Sequence, residues 1–350
     1  MEAGGVTLRR PPRFAPSAKA LRQGLASLAA VLASLVVGGL LMVIAGGNPV
    51  AGYSALLEGA FGSPYAFGQV LVLAVPLIII GLGLAMAFRG RVYNIGAEGQ
   101  LYLGALASGV IAIFLPIDGL PLIVLSMLGG IVTGAAWGWI VGAMRARWGV
   151  NEVIVSLLLN FVAILIFTYC VRRPLRAEGA LSLQGREVDP AAVLPKLPEF
   201  GVHIGIFIAV ALVPIVAYVM AMTPFGMRVR MLGLNVEAAR AAGVRSGRMV
   251  VGLMLVSGGF AGLAGAIQTL GVAGRLDLGI SHGYGFTAIV VALLGRLNAF
   301  GVLLAAMLIA VLQSGGQAMS VSEGLPYAIV LAIPGVFIVF LLVADRLARG

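Results

Sequence analysis

The chain has 350 residues, of which 61% are hydrophobic and only 10% are charged. Its mean hydropathy of +1.08 excludes an ordinary water-soluble globular protein and indicates an all-α polytopic membrane protein. The formal net charge is +10, but the arginines are spread between apolar segments, which argues against nucleic-acid binding. The single cysteine, Cys170, excludes a disulfide framework and a cysteine-based metal site.

A helix crosses a bilayer core with about 20 apolar residues. By this criterion the sequence contains roughly ten spans, some of them discontinuous or re-entrant, near 21–45, 65–88, 99–115, 121–144, 153–171, 204–222, 249–270, 284–295, 299–317 and 325–343. The run at 284–295 is short, so it and its successor are alternatively one re-entrant pair. We expect residues 1–20 to be a cytoplasmic N-terminal arm and 21–345 to be the transmembrane domain.

The basic residues predict the orientation of these spans. Alternating the spans from a cytoplasmic N-terminus places 17 of the 23 lysines and arginines on the inside. The positive-inside rule expects this asymmetry, so both termini are predicted to be cytoplasmic. The longest loops are then an external one near 172–203 and a cytoplasmic one near 223–248. The external loop is either a solvated connector or a surface for an external partner.

A polar, glycine-rich break at 89–104 separates the second and third spans. In hydrocarbon such a break is tolerated where it packs inside protein or lines a cavity, which makes it a candidate part of a solute path. We also expect a site where Asn94–Gln100 meets Gly283–Gly295, two broken segments. The path candidates are the polar residues Asn94, Glu98, Gln100, Glu152, Ser156, Asn160, Gln268 and Thr269.

Three of these candidates share one face of a helix. Glu152, Ser156 and Asn160 recur at every fourth residue among Val, Ile and Leu. This stripe either lines the path or forms interhelical hydrogen bonds worth about 0.6 to 2 kcal/mol per pair. Glycines at the same spacing predict faces where helices approach closely, namely Gly130, Gly134, Gly138 and Gly142 in one span and Gly258 and Gly262 in another.

The cytoplasmic loop contains the pattern of a short helix. Asn235 can cap its first turn, Glu237 and Arg240 complement the helix dipole, and Gly243 can adopt the left-handed conformation at its end. Isolated helices shorter than about 12 residues are marginal in water. This helix is therefore expected to dock, either onto the cytoplasmic ends of its own chain or onto a partner.

Several segments resemble one family of transport proteins. Gly233–Gly243, with its Gly-x-Asn-x-x-Ala-Ala-x-x-Ala-Gly pattern, and Ser257–Gly265 resemble the coupling segment and following helix of ABC importer permeases for branched-chain amino acids, ribose and other simple sugars. Asn94–Gln100 resembles the signature of one branch of this family, which is paired with BMP-type lipoprotein receptors and is associated with nucleoside uptake. Asn151–Asn160 and Gly283–Ile289 are similar to the same branch. The resemblance runs from the second span to the end.

The resemblance implies a permease subunit of the bacterial inner membrane that imports nucleosides or, alternatively, simple sugars. It implies a cytoplasmic ABC ATPase, a second permease subunit in a heterodimer and an external solute-binding lipoprotein as partners. The segment that would couple to the ATPase comprises Gly233, Asn235, Glu237, Ala238, Ala239, Arg240 and Gly243.

The sequence has no phosphate-binding Gly-x-x-x-x-Gly-Lys-Ser/Thr loop. No catalytic residue, metal site or bound cofactor is therefore expected on this chain, and ATP and magnesium would bind the partner ATPase. The alternatives from other classes are an ion-coupled carrier and a membrane scaffold. Only Glu98 and Glu152 are placed to serve as intramembrane acids for a carrier.

Overall fold

The computed structural model describes residues 18–177 and 184–326, together with scattered residues between 332 and 343. Within these ranges the chain is mostly helical, and its β-structure is confined to isolated bridges. The helices are α1 Ala18–Ile44, α2 Pro49–Phe61, α3 Pro64–Arg89, α4 Ala97–Phe114, α5 Leu120–Trp148, α6 Glu152–Arg172, α7 Gly205–Met222, α8 Pro224–Leu234, α9 Val236–Ala241, α10 Ser246–Ile267, α11 Tyr284–Leu294 and α12 Ala299–Glu323. A π-helical turn, Gln268–Ala273, extends α10.

Seven helices in the described residues are long and apolar enough to cross a membrane: α3, α4, α5, α6, α7, α10 with its π-turn, and α12. The number rises to eight if α1 and α2, which are bent by 114° relative to each other, form one span. This is fewer than the roughly ten predicted. The predicted span at 284–295 is α11, which has only 11 residues, and the predicted span at 325–343 lies largely outside the described residues, as does most of the N-terminal arm.

Helix α2 follows α1 immediately and was not expected from hydropathy. Asn48 accepts hydrogen bonds from the backbone N–H groups of Val50 and Ala51, and Pro49 occupies the first helical position. An asparagine cap followed by proline starts a new helix, because proline lacks the N–H that would continue the preceding one. The chain therefore turns at Asn48 and does not extend α1.

Helices α3, α4 and α10 form the interior of the bundle, since most of their residues are buried. Helices α6, α7 and α12 lie outside them and expose large apolar side chains, including Phe161, Phe207 and Leu304. Exposed apolar side chains on spanning helices are the expected contact with lipid or with another membrane subunit.

The predicted glycine faces lie between α5 and α10 of the same chain. A Cβ added to Gly134 would overlap the carbonyl oxygen of Gly258 and come within 2.8 Å of the Cα of Gly262. A Cβ on Gly130 would lie 2.9 Å from the carbonyl oxygen of Gly262, and one on Gly138 would overlap the carbonyl oxygen of Met254. The backbones of α5 and α10 are therefore in direct contact, which only glycine permits.

One end of the bundle carries α8 and α9, and we call it the α9 end. Gly233 of α8 packs against the carbonyl of Arg89, the last residue of α3, and the Arg89 side chain donates to the carbonyl of Leu297 before α12. Among the described residues from α3 onward, this end carries ten arginines and two glutamates: Arg89, Arg91, Arg145, Arg147, Arg228, Arg230, Arg240, Arg245, Arg248 and Arg296, with Glu152 and Glu237.

The opposite end carries the loop between α6 and α7, the predicted external loop. It is ordered where the structure describes it, with a short 3₁₀ turn at Pro190–Ala192 and antiparallel bridges at Glu187–Arg275 and Lys196–His203. Within the loop, Leu194 and Val202 are buried. The loop is thus packed onto the helix ends.

Candidate functional site

The polar break between α3 and α4 is partly buried in the bundle. Helix α3 ends at Arg89 and α4 begins at Ala97, so Asn94 precedes the helix and does not share a helical turn with Glu98. Val92, Asn94 and Gly96 are buried, although residues 92–95 belong to no helix or strand whose backbone hydrogen bonds would satisfy them. Its backbone groups must therefore find partners on neighbouring helices.

The polar stripe on α6 supplies these partners. Glu152 accepts a hydrogen bond from the backbone N–H of Tyr93 at 3.3 Å, and Ser156 accepts one from the N–H of Ile95 at 3.2 Å. Asn160 accepts from the N–H of Gly99 at 2.8 Å and donates to the carbonyl of Ile95 at 2.8 Å. The three stripe residues share one face, as their spacing predicts, and each is bonded to the break.

A pair of amides forms the centre of this network. The Asn94 Nδ2 group donates to Gln100 Oε1 at 2.8 Å and to the Ser257 hydroxyl on α10 at 2.9 Å. Asn94 Oδ1 accepts from the N–H of Gly96 at 2.9 Å and from Gln100 Nε2 at 3.3 Å. Asn94 and Gln100 are fully buried. The Asn94 amide thus makes two donated and two accepted hydrogen bonds, all within the protein.

Glu98 joins the break to the second broken segment. Its Oε1 accepts from the Ser281 hydroxyl at 2.6 Å, and its Oε2 accepts from the backbone N–H of Gly285 in the first turn of α11 at 2.7 Å. A carboxylate at a helix N-terminus is stabilised by the helix dipole. The segments Asn94–Gln100 and Gly283–Gly295 therefore meet, as the sequence predicts.

Glu152 also forms an ion pair with Arg145 at the end of α5. Arg145 in addition donates to the carbonyl of Arg91 at 3.4 Å. The acid at the start of α6 is therefore compensated and bonded, and it links α5, α6 and the break.

Arg145, Ser257 and Ser281 complete the site and were not singled out from the sequence. Ser257 lies inside the motif at 257–265, so a signal for it existed. No local pattern pointed to Ser281, which lies 183 residues from Glu98 in sequence.

The remaining path candidates lie at the π-turn. The Thr269 hydroxyl donates to the carbonyl of Gly265 at 3.1 Å, one turn back. Gln268 is only 2% exposed, and its Nε2 has no hydrogen-bond partner in the part of the chain that the structure describes. The structure therefore places Gln268 and Thr269 away from the Asn94 network, with one of the two incompletely bonded.

A buried histidine packs against the same turn from the external loop. Its ring contacts Gly271 closely enough that a Cβ there would lie 2.7 Å from His203 Cγ. Neither ring nitrogen has a partner within the described ranges. Burial, with a smaller contribution from the charge of Lys196, lowers the pKa of His203 to about 4, so the ring is neutral at pH 7.

The predicted coupling helix is α9. Asn235 Oδ1 accepts from the N–H groups of Glu237 at 2.8 Å and Ala238 at 3.1 Å, and Gly243 adopts a left-handed φ of +81° after the helix. Ala239 is buried, whereas Glu237, Ala238 and Arg240 are exposed. Helix α9 thus docks one face on its own chain and presents the other outward.

Gly233 connects this segment to the break. A Cβ at Gly233 would overlap the carbonyl oxygen of Arg89, the residue from which the break begins. Arg240 reaches the other way and donates from Nε to the Ser246 hydroxyl of α10 at 3.0 Å. A displacement of α8 and α9 would therefore act on both α3 and α10.

These features define an integral, multi-pass membrane protein with a short helix presented at its basic end. Residues 66–342 match the family described as branched-chain amino acid transport system / permease component, and the chain belongs to that family.

Three relatives span nearly the whole chain. The chain is 39% identical to the glucose ABC transporter permease protein TsgB13 of Haloferax volcanii, over 91% of this chain and 87% of that protein. It is 33% identical to the guanosine ABC transporter permease protein NupP of Bacillus subtilis, over 92% and 94%. It is 31% identical to the nucleoside ABC transporter permease protein NupB of Lactococcus lactis, over 92% and 91%. No solved structure matches the chain.

Proposed function

We propose that this chain is the membrane-spanning subunit of an ATP-driven ABC importer that carries nucleosides. The observation that carries the proposal is the near full-length similarity to the guanosine permease NupP and the nucleoside permease NupB. The interior agrees in chemistry, because its buried polar residues are mainly amides and hydroxyls, which suit a neutral solute rich in hydroxyl groups.

A simple sugar is the second candidate solute. The specific observation in its favour is the 39% identity to the glucose permease TsgB13, which is higher than the identity to either nucleoside permease. A sugar and a nucleoside both present hydroxyl groups, and amide side chains bind both. Transport measurements are therefore needed to distinguish a nucleoside from a sugar as the solute.

The α9 end is assigned to the cytoplasm in this proposal. Its ten arginines against two glutamates agree with the excess of positive charge on cytoplasmic loops. With this orientation both termini are cytoplasmic, and the loop between α6 and α7 faces the external solute-binding lipoprotein.

Helix α9 is proposed to bind the ATPase through its exposed face. ATP and magnesium bind that partner, and a second permease subunit completes the pathway as a heterodimer. Because α9 is joined to α8 and α10, motion in the ATPase would move the ends of α3 and α10 together.

Among the path candidates, Gln268 is the residue that we propose for contact with solute. Its buried amide has a free donor among the described residues, whereas Asn94, Gln100 and Asn160 are engaged in the network around the break. π-helical turns inside α-helices occur frequently at functional sites. The network residues would then support the path without touching the solute.

Reconstitution tests the class and the solute together. The chain is assembled in liposomes with its ATPase, second permease and receptor, and ATP hydrolysis and uptake are measured with guanosine, adenosine, uridine, ribose and glucose. We expect receptor-dependent stimulation by nucleosides. Stimulation by glucose or ribose alone would replace the solute, and uptake driven by a proton or sodium gradient without ATP would replace the class.

Two variants test the coupling assignment in that preparation. Ala238→Arg adds a bulky charge to the exposed face of α9, and we expect assembly of the permease to persist while solute-stimulated ATP hydrolysis falls at least tenfold. Met227→Arg on α8 is the matched control, because Met227 is 52% exposed and lies in the same loop. Equal loss in both variants would contradict a specific role for α9.

A further inference from the structure

A cavity of about 500 Å³ lies at the α9 end, between the ends of α3, α7 and α8 and the start of α12. Ala85 and Met86 of α3 form its back wall, and Met220 of α7 and Phe300 of α12 line its sides. None of its described lining residues belongs to α9 or to the hydrogen-bond network around Asn94, although Arg89, where the break begins, also contacts Gly233 through its carbonyl. The cavity is therefore distinct from that network.

The polar part of the cavity is positively charged. Among the described residues that line it, Arg89 and Arg230 are the ionisable ones. Each is anchored by one hydrogen bond to a backbone carbonyl, that of Leu297 for Arg89 and that of Met220 for Arg230. No carboxylate of the described residues forms an ion pair with either. A guanidinium carries five N–H donors, so both retain donors for an anion.

Apart from Asn298, whose side chain caps α12, the remaining described residues that line the cavity are apolar, and the cavity opens toward the outer surface of the bundle. Phe300 at its edge is 56% exposed, and Leu304, one turn further along α12, is 70% exposed. On the facing helix α7, Tyr218 and Met222 are exposed as well. An apolar strip thus runs from the mouth along the surface that faces hydrocarbon. A small soluble anion has no use for such a strip, whereas an acyl chain does.

We propose that this cavity binds an anionic glycerophospholipid. Its phosphate lies between Arg89 and Arg230, its glycerol region contacts Met86, Met220 and Phe300, and one acyl chain follows α12 past Leu304. Basic pockets between spanning helices on the cytoplasmic side are suited to anionic headgroups. The proposal uses the proposed orientation only to name the leaflet, which is the cytoplasmic one.

The bound lipid would connect the coupling region to the helix bundle. Arg230 belongs to α8, which continues into α9, whereas Arg89 ends α3 and contacts the turn before α12. A phosphate shared by the two arginines joins these elements. Lipid binding is therefore expected to raise the thermal stability of the full chain, independently of any transported solute.

Native mass spectrometry of the full chain in detergent tests the proposal. The probes are dioleoyl phosphatidylglycerol, dioleoyl phosphatidylcholine and sn-glycerol 3-phosphate. We expect at least tenfold tighter binding of phosphatidylglycerol than of phosphatidylcholine, and no competition from a tenfold excess of glycerol phosphate. Equal binding of the two lipids, or full displacement by glycerol phosphate, would overturn the lipid assignment.

Variants locate the binding. In Arg89→Gln/Arg230→Gln, phosphatidylglycerol binding should fall at least tenfold, whereas Arg228→Gln, an exposed arginine of the same α8, should change it less than twofold. Ala217→Phe fills the cavity without altering charge and should also abolish binding, which covers the case in which the double variant fails to fold. Equal losses in Arg228→Gln and the double variant would show a general surface charge effect and overturn the site. Because lipid binding is measured without ATPase or solute, its failure is distinct from failure of the proposed transport function.

Discussion

Two buried polar regions contact α10 and its continuation, and they differ in how their hydrogen bonds are made. At the break, Asn94 bonds to Ser257 in the middle of α10, and the stripe on α6 pairs with the break backbone. At the π-turn, the Gln268 amide nitrogen and both ring nitrogens of His203 have no partner in the described part of the chain. We call the break with its partners the closed region, because its polar groups bond to one another, and the π-turn with His203 the open region, because its polar groups lack partners in the described part of the chain.

Bonded and unbonded polar groups inside a membrane protein are present for different physical reasons. A buried polar group without a partner costs about 1–3 kcal/mol, so a chain retains one where solvent, solute or movement supplies compensation. A fully bonded group needs no such explanation, because its partners account for its presence. Polarity alone predicts that both regions belong to a solute path. The hydrogen bonds distinguish them, because the residues at the break are bonded to one another, whereas Gln268 at the π-turn has, among the described residues, a donor left for contact with solute.

The largest effect is expected where α5 contacts α10 between the two regions. In Gly134→Leu the new side chain meets the backbone of Gly258 and Gly262, which cannot move aside. We expect a cost of about 3 kcal/mol or more, measured as lost monodisperse protein in size-exclusion chromatography. Gly252→Leu on α10 is the control, since no atom of another described element lies within 4 Å of a Cβ there. Equal yields of the two variants would contradict the close contact.

The next effect concerns the closed region. Asn160→Leu leaves the N–H of Gly99 and the carbonyl of Ile95 without partners, at a cost of about 2–5 kcal/mol. Ser156→Ala removes one longer bond and should cost about 1 kcal/mol. Thermal unfolding in detergent measures both.

Leu158→Ala on the exposed face of α6 is the control for these variants. If Asn160→Leu unfolded at the wild-type temperature and lost only uptake, Asn160 would belong to the solute path and the distinction between the two regions would fail.

The sequence predicts local geometry well and long-range partners poorly. Spacing every fourth residue predicts the shared face of Glu152, Ser156 and Asn160, and capping residues predict both ends of α9. Periodicity fixes which side chains share a face but not what that face contacts. That neighbour depends on how distant elements pack, so hydropathy and spacing do not predict the hydrogen bond that Ser281 donates to Glu98 or the cavity beside Arg230.

Acid is expected to act on the open region. His203 has a pKa of about 4 in the folded protein, below its ordinary value of 6.5, so the unfolded chain binds the proton more readily between these values. Stability contributed by the neutral ring is present above pH 6.5 and is lost as the pH falls toward 4. From pH 7 to pH 5 this loss is about 2 kcal/mol.

Thermal unfolding from pH 7 to pH 5 checks this, with His203→Phe expected to lose the histidine contribution. His282, the other histidine, is exposed, and His282→Gln should keep the wild-type pH dependence. The same pH dependence in His203→Phe would show that other groups cause it.

The smallest effect on stability is expected at Gln268. A variant there also tests most directly whether the closed and open regions have different roles. Gln268→Leu removes an amide whose nitrogen has no partner among the described residues, so we expect a change of less than about 1 kcal/mol in stability. Uptake should nevertheless fall severalfold, with a raised KM, because a donor to the solute is lost. Thr269→Val is the neighbouring control, since the Thr269 hydroxyl already bonds to its own helix and its loss should leave the KM unchanged.

A loss of stability in Gln268→Leu as large as that in Asn160→Leu would mean that Gln268 is bonded within the assembled protein. Unchanged uptake kinetics would instead remove Gln268 from the path, and either result would make the two polar regions alike in role.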